Sequence, residues 1–229
     1  MAVTFLRTLG GEVKRMGLRK ELGLVLGLLA LASLLATPVA AQNKLAATAE
    51  APSGKALGSR GAPVTVEVFS DFQCPACRAL YQSTLRPLID NYVTSGKVYL
   101  VHRDFPLENT HKHARQAARY ANAAAKIGRF EKAADALYAR QDFWAVDGNL
   151  DAALALVMTP AEMKKIRQLV QQSARLDADI DQDVRLGGKI PVRSTPTVVV
   201  LHRGKSYPLP AGGVSYSLLK QFIDDLLRQ

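Results

Sequence analysis

The sequence predicts an α/β fold in which a helical insertion separates a βαβ unit from a ββα unit. Three observations predict it. Short apolar, β-branched runs occur before residue 108 and again after residue 188. The segment 108–188 between them is helical in pattern almost throughout. At 229 residues, with 48% hydrophobic and 22% charged residues, the chain is long enough to form one core of ordinary size.

The first 41 residues have the pattern of a secretory signal peptide. Arg19 and Lys20 precede a charge-free, leucine-rich run from Leu22 to Ala36. The small residues of Val39-Ala40-Ala41 then favour cleavage after Ala41. We therefore expect a periplasmic or otherwise extracytoplasmic protein.

A membrane anchor over residues 22–41 is the alternative, because no charge occurs between Leu22 and Asn43. Pro38 and the interspersed glycines and alanines argue against a full span of about 20 strongly apolar residues. Met1 and Met16 are both candidate translation starts.

The net charge of +10 does not by itself indicate a special partner. Residues 1–41 carry five basic and two acidic side chains, which leaves +7 for residues 42–229. A basic protein attracts anionic surfaces in general. No basic run interleaved with aromatic residues occurs, so nucleic acid is not an expected partner.

The folded domain is predicted to span residues 62–229, after a flexible linker over residues 42–61 that is rich in Ala, Ser and Gly. Pro63–Phe69 predicts a buried strand, and a helix follows from Cys74 to about Ser95. Pro87 should kink that helix. Val98–Arg103 predicts the second strand.

The helical insertion is predicted at about residues 108–188. Alanine-rich helices are expected over 114–127 and 129–139, and a capping box at Thr159-Pro160-Ala161-Glu162 starts a third long helix. The remaining elements are strands over Thr197–Leu201 and Lys205–Leu209, and a final amphipathic helix over Tyr216–Leu227.

The only two cysteines, Cys74 and Cys77, form a Cys-X-X-Cys at the predicted junction of a strand and a helix. A disulfide across so few residues closes almost no loop and stabilises little, so a reactive pair is favoured over a structural staple. Unpaired N–H groups at the helix start should lower the pKa of Cys74 to about 5 to 7. Cys77 should lie on the same helix face and be more buried.

A zinc site is the alternative for these cysteines. It needs four ligands, and the other candidates are scattered histidines. We therefore expect no metal, and no cofactor besides the redox-active disulfide itself.

Four motifs occur in order along the chain: Phe69-Ser-Asp-Phe-Gln-Cys-Pro-Ala-Cys77, His102–Leu107, Gln141–Trp144 and Ser194–Thr197. From about residue 58 to the C-terminus the chain thereby resembles DsbA-like thiol–disulfide oxidoreductases. The resemblance implies a thioredoxin fold with an inserted helical domain. It also implies that Thr195-Pro196 is a cis-proline loop that faces the cysteines and pairs, through the Thr195 backbone, with an extended client peptide.

Two positions depart from the family's pattern. Many relatives carry an acidic residue six positions before the first cysteine, where this chain has Val68. Glu67 is one position earlier and faces the other side of a strand, so that role is not assigned to it. The strongest oxidants carry His as the second residue between the cysteines. Ala76 stands there and offers the thiolate no donor, which predicts a less oxidising disulfide.

The resemblance implies that the Cys74–Cys77 disulfide oxidises client proteins with free cysteines through a mixed disulfide at Cys74. A membrane quinone-linked oxidase of the DsbB or vitamin K epoxide reductase type would reoxidise the pair. An isomerase or reductase is the nearest alternative. Dimeric isomerases carry a separate dimerisation domain, and only a short linker precedes this fold, so a monomeric oxidase is favoured. A client-binding chaperone or metallochaperone is the alternative from another class.

Other residues have two interpretations each. His111 and His113 are expected at a solvated helix start rather than in a metal site. Trp144 is expected in the core rather than on a substrate platform. Asp71 is either a proton relay or a turn residue. Arg193 is expected at the surface.

Overall fold

A computed structural model describes residues 54–190 and 192–229. The predicted signal peptide or anchor lies outside these residues. Within them, five strands form one mixed sheet in the order β1-β3-β2-β4-β5. Strands β2 and β3 are parallel, and the other neighbours are antiparallel. The strands are β1 (Ala56–Leu57), β2 (Val64–Ser70), β3 (Val98–Asp104), β4 (Thr197–His202) and β5 (Lys205–Pro208).

The predicted linker over residues 42–61 is too long at its C-terminal end. Ala56 and Leu57 pair with Val101 and Leu100 of β3, and Lys55 is only 1% exposed. The folded part therefore includes residues 54–61 and does not begin at Ala62. The sequence did not predict this strand because it has only two residues, which are held by backbone hydrogen bonds and one buried lysine and show no apolar periodicity.

Helix α1 spans residues 75–93, close to the predicted range. It has two α-helical stretches, Pro75–Leu80 and Arg86–Leu88, each followed by a π-helical one, Tyr81–Leu85 and Ile89–Val93. Pro87 lies between the two π-helical stretches. Proline has no N–H to donate, so the regular ladder of an α-helix cannot continue through it.

The helical insertion consists of six helices: α2 (Ala114–Lys126), α3 (Phe130–Ala139), α4 (Gln141–Asp147), α5 (Leu150–Ala155), α6 (Pro160–Gln171) and α7 (Ala174–Lys189). The capping box at the start of α6 is confirmed: Thr159 accepts from the N–H of Glu162, whose carboxylate accepts from the N–H of Thr159. Trp144 is 1% exposed and donates to the carbonyl of Leu137 at 2.7 Å, which confirms it as a core residue.

Two hydrophobic clusters lie against the sheet, one on each face. Val64, Val66 and Val68 of β2 belong to the main core, together with buried residues of α1–α6, of the final helix α8 (Tyr216–Leu227) and with Leu176 of α7. Phe69 of β2 points to the other face, where it joins a smaller cluster with Leu186 of α7. The insertion therefore contributes to both faces, and the predicted order of elements is confirmed apart from the additional β1.

Candidate active site

Cys74 is the N-cap residue of α1. Its backbone is extended (φ −75°, ψ 123°), and Pro75 occupies the first helical turn, where no N–H is needed. Cys74 is 7% exposed. A hydrogen bond from the Cys77 thiol, supported by the backbone N–H groups of Cys77 and Ala76, lowers the pKa of Cys74 to about 5 despite partial burial, which raises it. Cys74 is therefore the sulfur that ionises at neutral pH.

Cys77 lies one helical turn deeper and is 1% exposed. Burial raises the pKa of its thiol far above the ordinary value, and the nearby Cys74 sulfur adds to that rise. The N–H of Asp71 donates to Cys77 Sγ at 3.4 Å. Both cysteines are free thiols in this structure. The pair thus consists of a cysteine that ionises readily and a more deeply buried one that does not.

The loop before β4 lies directly against Cys74. The Thr195–Pro196 peptide bond is cis, as predicted, and Cys74 Sγ donates to the carbonyl of Thr195 at 3.5 Å. Thr195 is 7% exposed. All four predicted site residues, Cys74, Cys77, Thr195 and Pro196, are therefore brought to one place, although more than 100 positions separate the two pairs in the chain.

The buried carboxylate of Asp71 holds the active-site loop in place. One oxygen accepts from the N–H of Gln73 at 2.7 Å. The other accepts from the N–H of Leu107 at 2.9 Å and from Nδ1 of His111 at 2.8 Å. These contacts are those of a turn residue. His111 is consequently a partner of Asp71, and its predicted place at a solvated helix start was wrong.

Two glutamines that the sequence analysis did not single out as site residues join the active-site loop to the helical insertion. Gln141 is 3% exposed and donates to the carbonyls of Phe72 (2.7 Å) and Cys74 (3.0 Å). In the other direction, Gln73 donates to the carbonyl of Ala145 in α4 at 3.0 Å. Their only sequence signal was their position inside two of the motifs. The insertion is therefore fastened to the active-site loop at Phe72, Gln73 and Cys74.

Glu67 does not face the cysteines, as the alternation of strand β2 predicted. It pairs with Arg103 at 2.5 Å, and burial raises the pKa of its carboxyl despite this pairing. Arg103 also pairs with Asp183 of α7 at 3.2 Å, and Lys55 pairs with Asp183 at 2.6 Å and with Asp104. We call Lys55, Glu67, Arg103, Asp104 and Asp183 the buried ion cluster.

Two further candidates from the sequence are Arg193 and His113. Arg193 is exposed, as predicted. The backbone N–H of His113 donates to the Gln73 side chain at 2.7 Å. Among residues 54–190 and 192–229, no group of three or more His, Cys, Asp or Glu side chains is placed to hold a metal ion.

Family comparison agrees with this geometry. Residues 50–225 match the family described as thioredoxin, which is more than half of the chain, and the chain therefore belongs to the thioredoxin family.

Solved structures define the type of thioredoxin fold. BdbD from Bacillus subtilis is 21% identical with a TM-score of 0.64, over 79% of this chain and 100% of that chain. Alpha-DsbA1 of Wolbachia pipientis is 19% identical with a TM-score of 0.64, over 81% of this chain and 95% of that chain. A thioredoxin-like oxidoreductase from Silicibacter pomeroyi is 25% identical with a TM-score of 0.63, over 82% of this chain and 98% of that chain. The predicted thioredoxin fold with an inserted helical domain is confirmed, as is the resemblance to DsbA-like thiol–disulfide oxidoreductases.

Curated relatives match over shorter shares of their own length. "Probable disulfide bond formation protein D" of Bacillus cereus is 44% identical over 52 residues, 23% of this chain and 24% of that protein. "Na(+)/H(+) antiporter NhaA 3" of Salinispora tropica is 30% identical over 187 residues, 75% of this chain and 25% of that protein. The chain thus spans about a quarter of the length of these relatives. Within its described part, no helix is long and apolar enough to cross a membrane.

Proposed function

We propose that this protein is an exported thiol–disulfide oxidoreductase that oxidises client cysteines through a Cys74–Cys77 disulfide. The observation that carries the proposal is the contrast between the two sulfurs. The hydrogen bond from the Cys77 thiol is the main cause that lowers the pKa of Cys74 to about 5. Burial raises the pKa of Cys77. A stabilised thiolate at Cys74 is also a good leaving group, and it makes the disulfide more oxidising.

The reaction follows from this contrast. A client thiolate attacks Cys74 Sγ, so that a client–Cys74 bond forms, the Cys74–Cys77 bond breaks and Cys77 takes up a proton. A second client thiolate then attacks the client sulfur of this mixed disulfide, and Cys74 leaves as a thiolate. The client has lost two electrons, and the protein has gained them. In the reverse direction the same steps reduce a client disulfide.

Client recognition is proposed at the Thr195–Pro196 loop. An extended peptide beside Cys74 would pair with the backbone of Thr195. Helix α4, which Gln73 and Gln141 fasten to the active-site loop, exposes 67% of Phe143 and 72% of Val146. These apolar side chains support binding of a client segment that has not yet folded.

Reoxidation is proposed to come from a membrane quinone-linked thiol oxidase of the DsbB or vitamin K epoxide reductase type, acting on a monomer outside the cytoplasm. The competing function is a reductase or isomerase that is kept reduced. These two roles differ in the resting state of the pair, because an oxidase must wait for its client with the disulfide formed.

The test is the redox state of the cysteines in intact cells. Cells are quenched in acid, and free thiols are alkylated with a reagent that shifts gel mobility, with the Cys74→Ser variant as the reference for a chain that cannot form the bond. The oxidase role predicts that most of the wild-type protein lacks free thiols. A mostly reduced pair would overturn it in favour of the reductase or isomerase.

A further inference from the structure

Cys77 needs a partner for its proton. Its sulfur is buried, and it must take up a proton whenever the Cys74–Cys77 bond breaks and release one whenever that bond forms. Asp71 contacts Cys77 through its backbone N–H, which is not a proton acceptor. Both oxygens of the Asp71 carboxylate already accept hydrogen bonds from Gln73, Leu107 and His111. The proton partner must therefore be sought on another side of Cys77.

A small cavity lies on the core side of the sheet, behind Ser70. Its volume of about 20 Å³ is enough for one water molecule. The hydroxyls of Ser70 and Tyr138 lie 2.8 Å apart, and both residues line the cavity. Burial dominates the raised pKa of the Cys77 thiol, whereas the Ser70 hydroxyl acts in the opposite direction by stabilising the thiolate. The next residue, Asp71, donates its N–H to Cys77 Sγ at 3.4 Å, so Ser70 lies close to Cys77 as well as to the cavity.

His102 lines the same cavity from the neighbouring strand. It is the register partner of Val68 in the parallel pair of β2 and β3. Its ring stacks on Phe72, with 4.8 Å between ring centroids. Its Nε2 lies 3.3 Å from the buried Oδ1 of Asp104.

His102 is surrounded by charged and titratable side chains. Titratable side chains face it or line its cavity from every neighbouring element: Lys55, Tyr81, Asp104, Glu131 and Tyr138. Two of these, Lys55 and Asp104, belong to the buried ion cluster, which sets two basic side chains against three carboxyl groups.

We propose that His102 holds the proton that Cys77 exchanges, and that the Ser70 and Tyr138 hydroxyls and the cavity form the route between them. When a client thiolate breaks the Cys74–Cys77 bond, the imidazolium gives its proton to the Cys77 thiolate. When the bond reforms, the proton returns to His102, the Cys77 thiolate attacks Cys74, and the client leaves as a thiolate. His102 reaches Cys77 only through the Ser70 and Tyr138 hydroxyls, so we class it as a positioning residue and not as a catalytic one.

The inference rests on the proposed function, but the two can be tested separately in one stopped-flow experiment. Reduced protein is mixed with an excess of Ellman's reagent at pH values from about 5 to 9. The first phase depends on reagent concentration and reports attack by Cys74. The second phase is independent of concentration and reports attack by Cys77 on the Cys74 mixed disulfide, which releases a second thionitrobenzoate.

The variants are chosen to keep the packing. His102→Phe preserves the stacking on Phe72, and we expect its second phase to be at least tenfold slower at pH 7 with an unchanged first phase. The wild-type rate should rise by much less than tenfold per pH unit, because His102 takes the proton of the Cys77 thiol. The His102→Phe rate should instead rise about tenfold per pH unit up to pH 9, because hydroxide must then remove the proton.

Tyr138→Phe and Tyr81→Phe form a matched pair. Both rings stack in the same core, 4.7 Å apart, but the Tyr81 hydroxyl donates to Asp135 at 2.7 Å. Tyr138→Phe should slow the second phase several-fold, and Tyr81→Phe should change it less than twofold. Val68→Glu in the His102→Phe background should restore the second phase, because the register partner then supplies a base to the same cavity.

The experiment distinguishes failure of the His102 inference from failure of the proposed function. A His102→Phe variant with the wild-type second phase and the wild-type pH profile would overturn the inference. His102→Gln gives the same test if the phenylalanine variant does not fold. A wild-type first phase no faster than that of an ordinary thiol would instead contradict the proposed function, whatever the second phase shows.

Discussion

The active-site end of α1 and the buried ion cluster beneath α7 stabilise ionisable groups in opposite ways. Cys74 is stabilised by donors, the Cys77 thiol and backbone N–H groups at the start of the helix. The charges of Lys55, Arg103 and their carboxylate partners are stabilised by one another. The donors act on Cys74 only while it is a thiolate, whereas the ion pairs involve neither cysteine. One region therefore sets the redox chemistry, and the other holds the sheet to α7.

The largest effect should come from removing one cysteine at a time. Cys77→Ser leaves Cys74 able to attack but removes the thiol that resolves the adduct, so mixed disulfides with clients should accumulate. Cys74→Ser should trap few clients and lose disulfide exchange altogether. Non-reducing gels of acid-quenched cells measure both variants. Equal trapping by the two would show that the sulfurs are not divided into an attacking and a resolving one.

Loss of one charge from the buried ion cluster should reduce stability strongly and equally in both redox forms. Arg103→Met leaves the buried carboxyl group of Glu67 without its ion-pair partner and leaves Asp183 with Lys55 alone, which should cost about 3–5 kcal/mol. Urea unfolding of the oxidised and reduced proteins measures the loss. The double variant Glu67→Leu/Arg103→Met is the control and should recover part of it. Unequal losses in the two forms would break the comparison between the regions.

The pH dependence of stability should differ between the redox forms. The pKa of Cys74 is lowered to about 5 in the folded reduced protein, chiefly by the Cys77 thiol. An unfolded thiol titrates near pH 8.5. Between these values the unfolded state binds more protons, so the stability of the reduced form should fall by up to about 1.4 kcal/mol for each unit by which pH is lowered from 8 to 5. The oxidised form lacks this contribution, and parallel curves for the two forms would contradict it.

A smaller effect is expected where the helical insertion holds the active-site loop. Gln141→Met leaves the carbonyls of Phe72 and Cys74 without this donor, which should cost about 1–3 kcal/mol. The exposed Gln82 provides the matched control, and Gln82→Met should change stability by less than about 0.5 kcal/mol. Urea unfolding compares the two. Equal stabilities of the two variants would mean that Gln141 does not fasten the loop.

Most of the fold was predictable because its signals are local. The β-branched runs gave β2, β3 and β4, and the Thr159–Glu162 capping box gave the start of α6. The four motifs in their order, rather than any single one, predicted that Thr195 and Pro196 lie beside the cysteines. Strand β1 was missed because two residues of backbone pairing leave no periodic pattern.

The rest of the site depends on contacts between residues far apart in the chain. The bond between Asp71 and His111 spans 40 positions, and those of Gln141 to the active-site loop span 67 and 69. Lys55 and Asp183 are 128 positions apart. Glutamine and histidine side chains can both donate and accept hydrogen bonds, so their presence in a sequence does not identify a buried partner. Only the packed structure shows which of them are joined.

The most direct test of the account is a titration of the Cys74 thiolate. Absorbance of the reduced protein in the far ultraviolet is followed against pH, with the Cys74→Ser variant as the blank. The stabilising donors at the start of α1, with the Cys77 thiol foremost, predict that the pKa of Cys74 is about 5. A midpoint at about 8.5 or above, the range of an ordinary thiol, would contradict the claim that this helix start makes Cys74 the reactive sulfur.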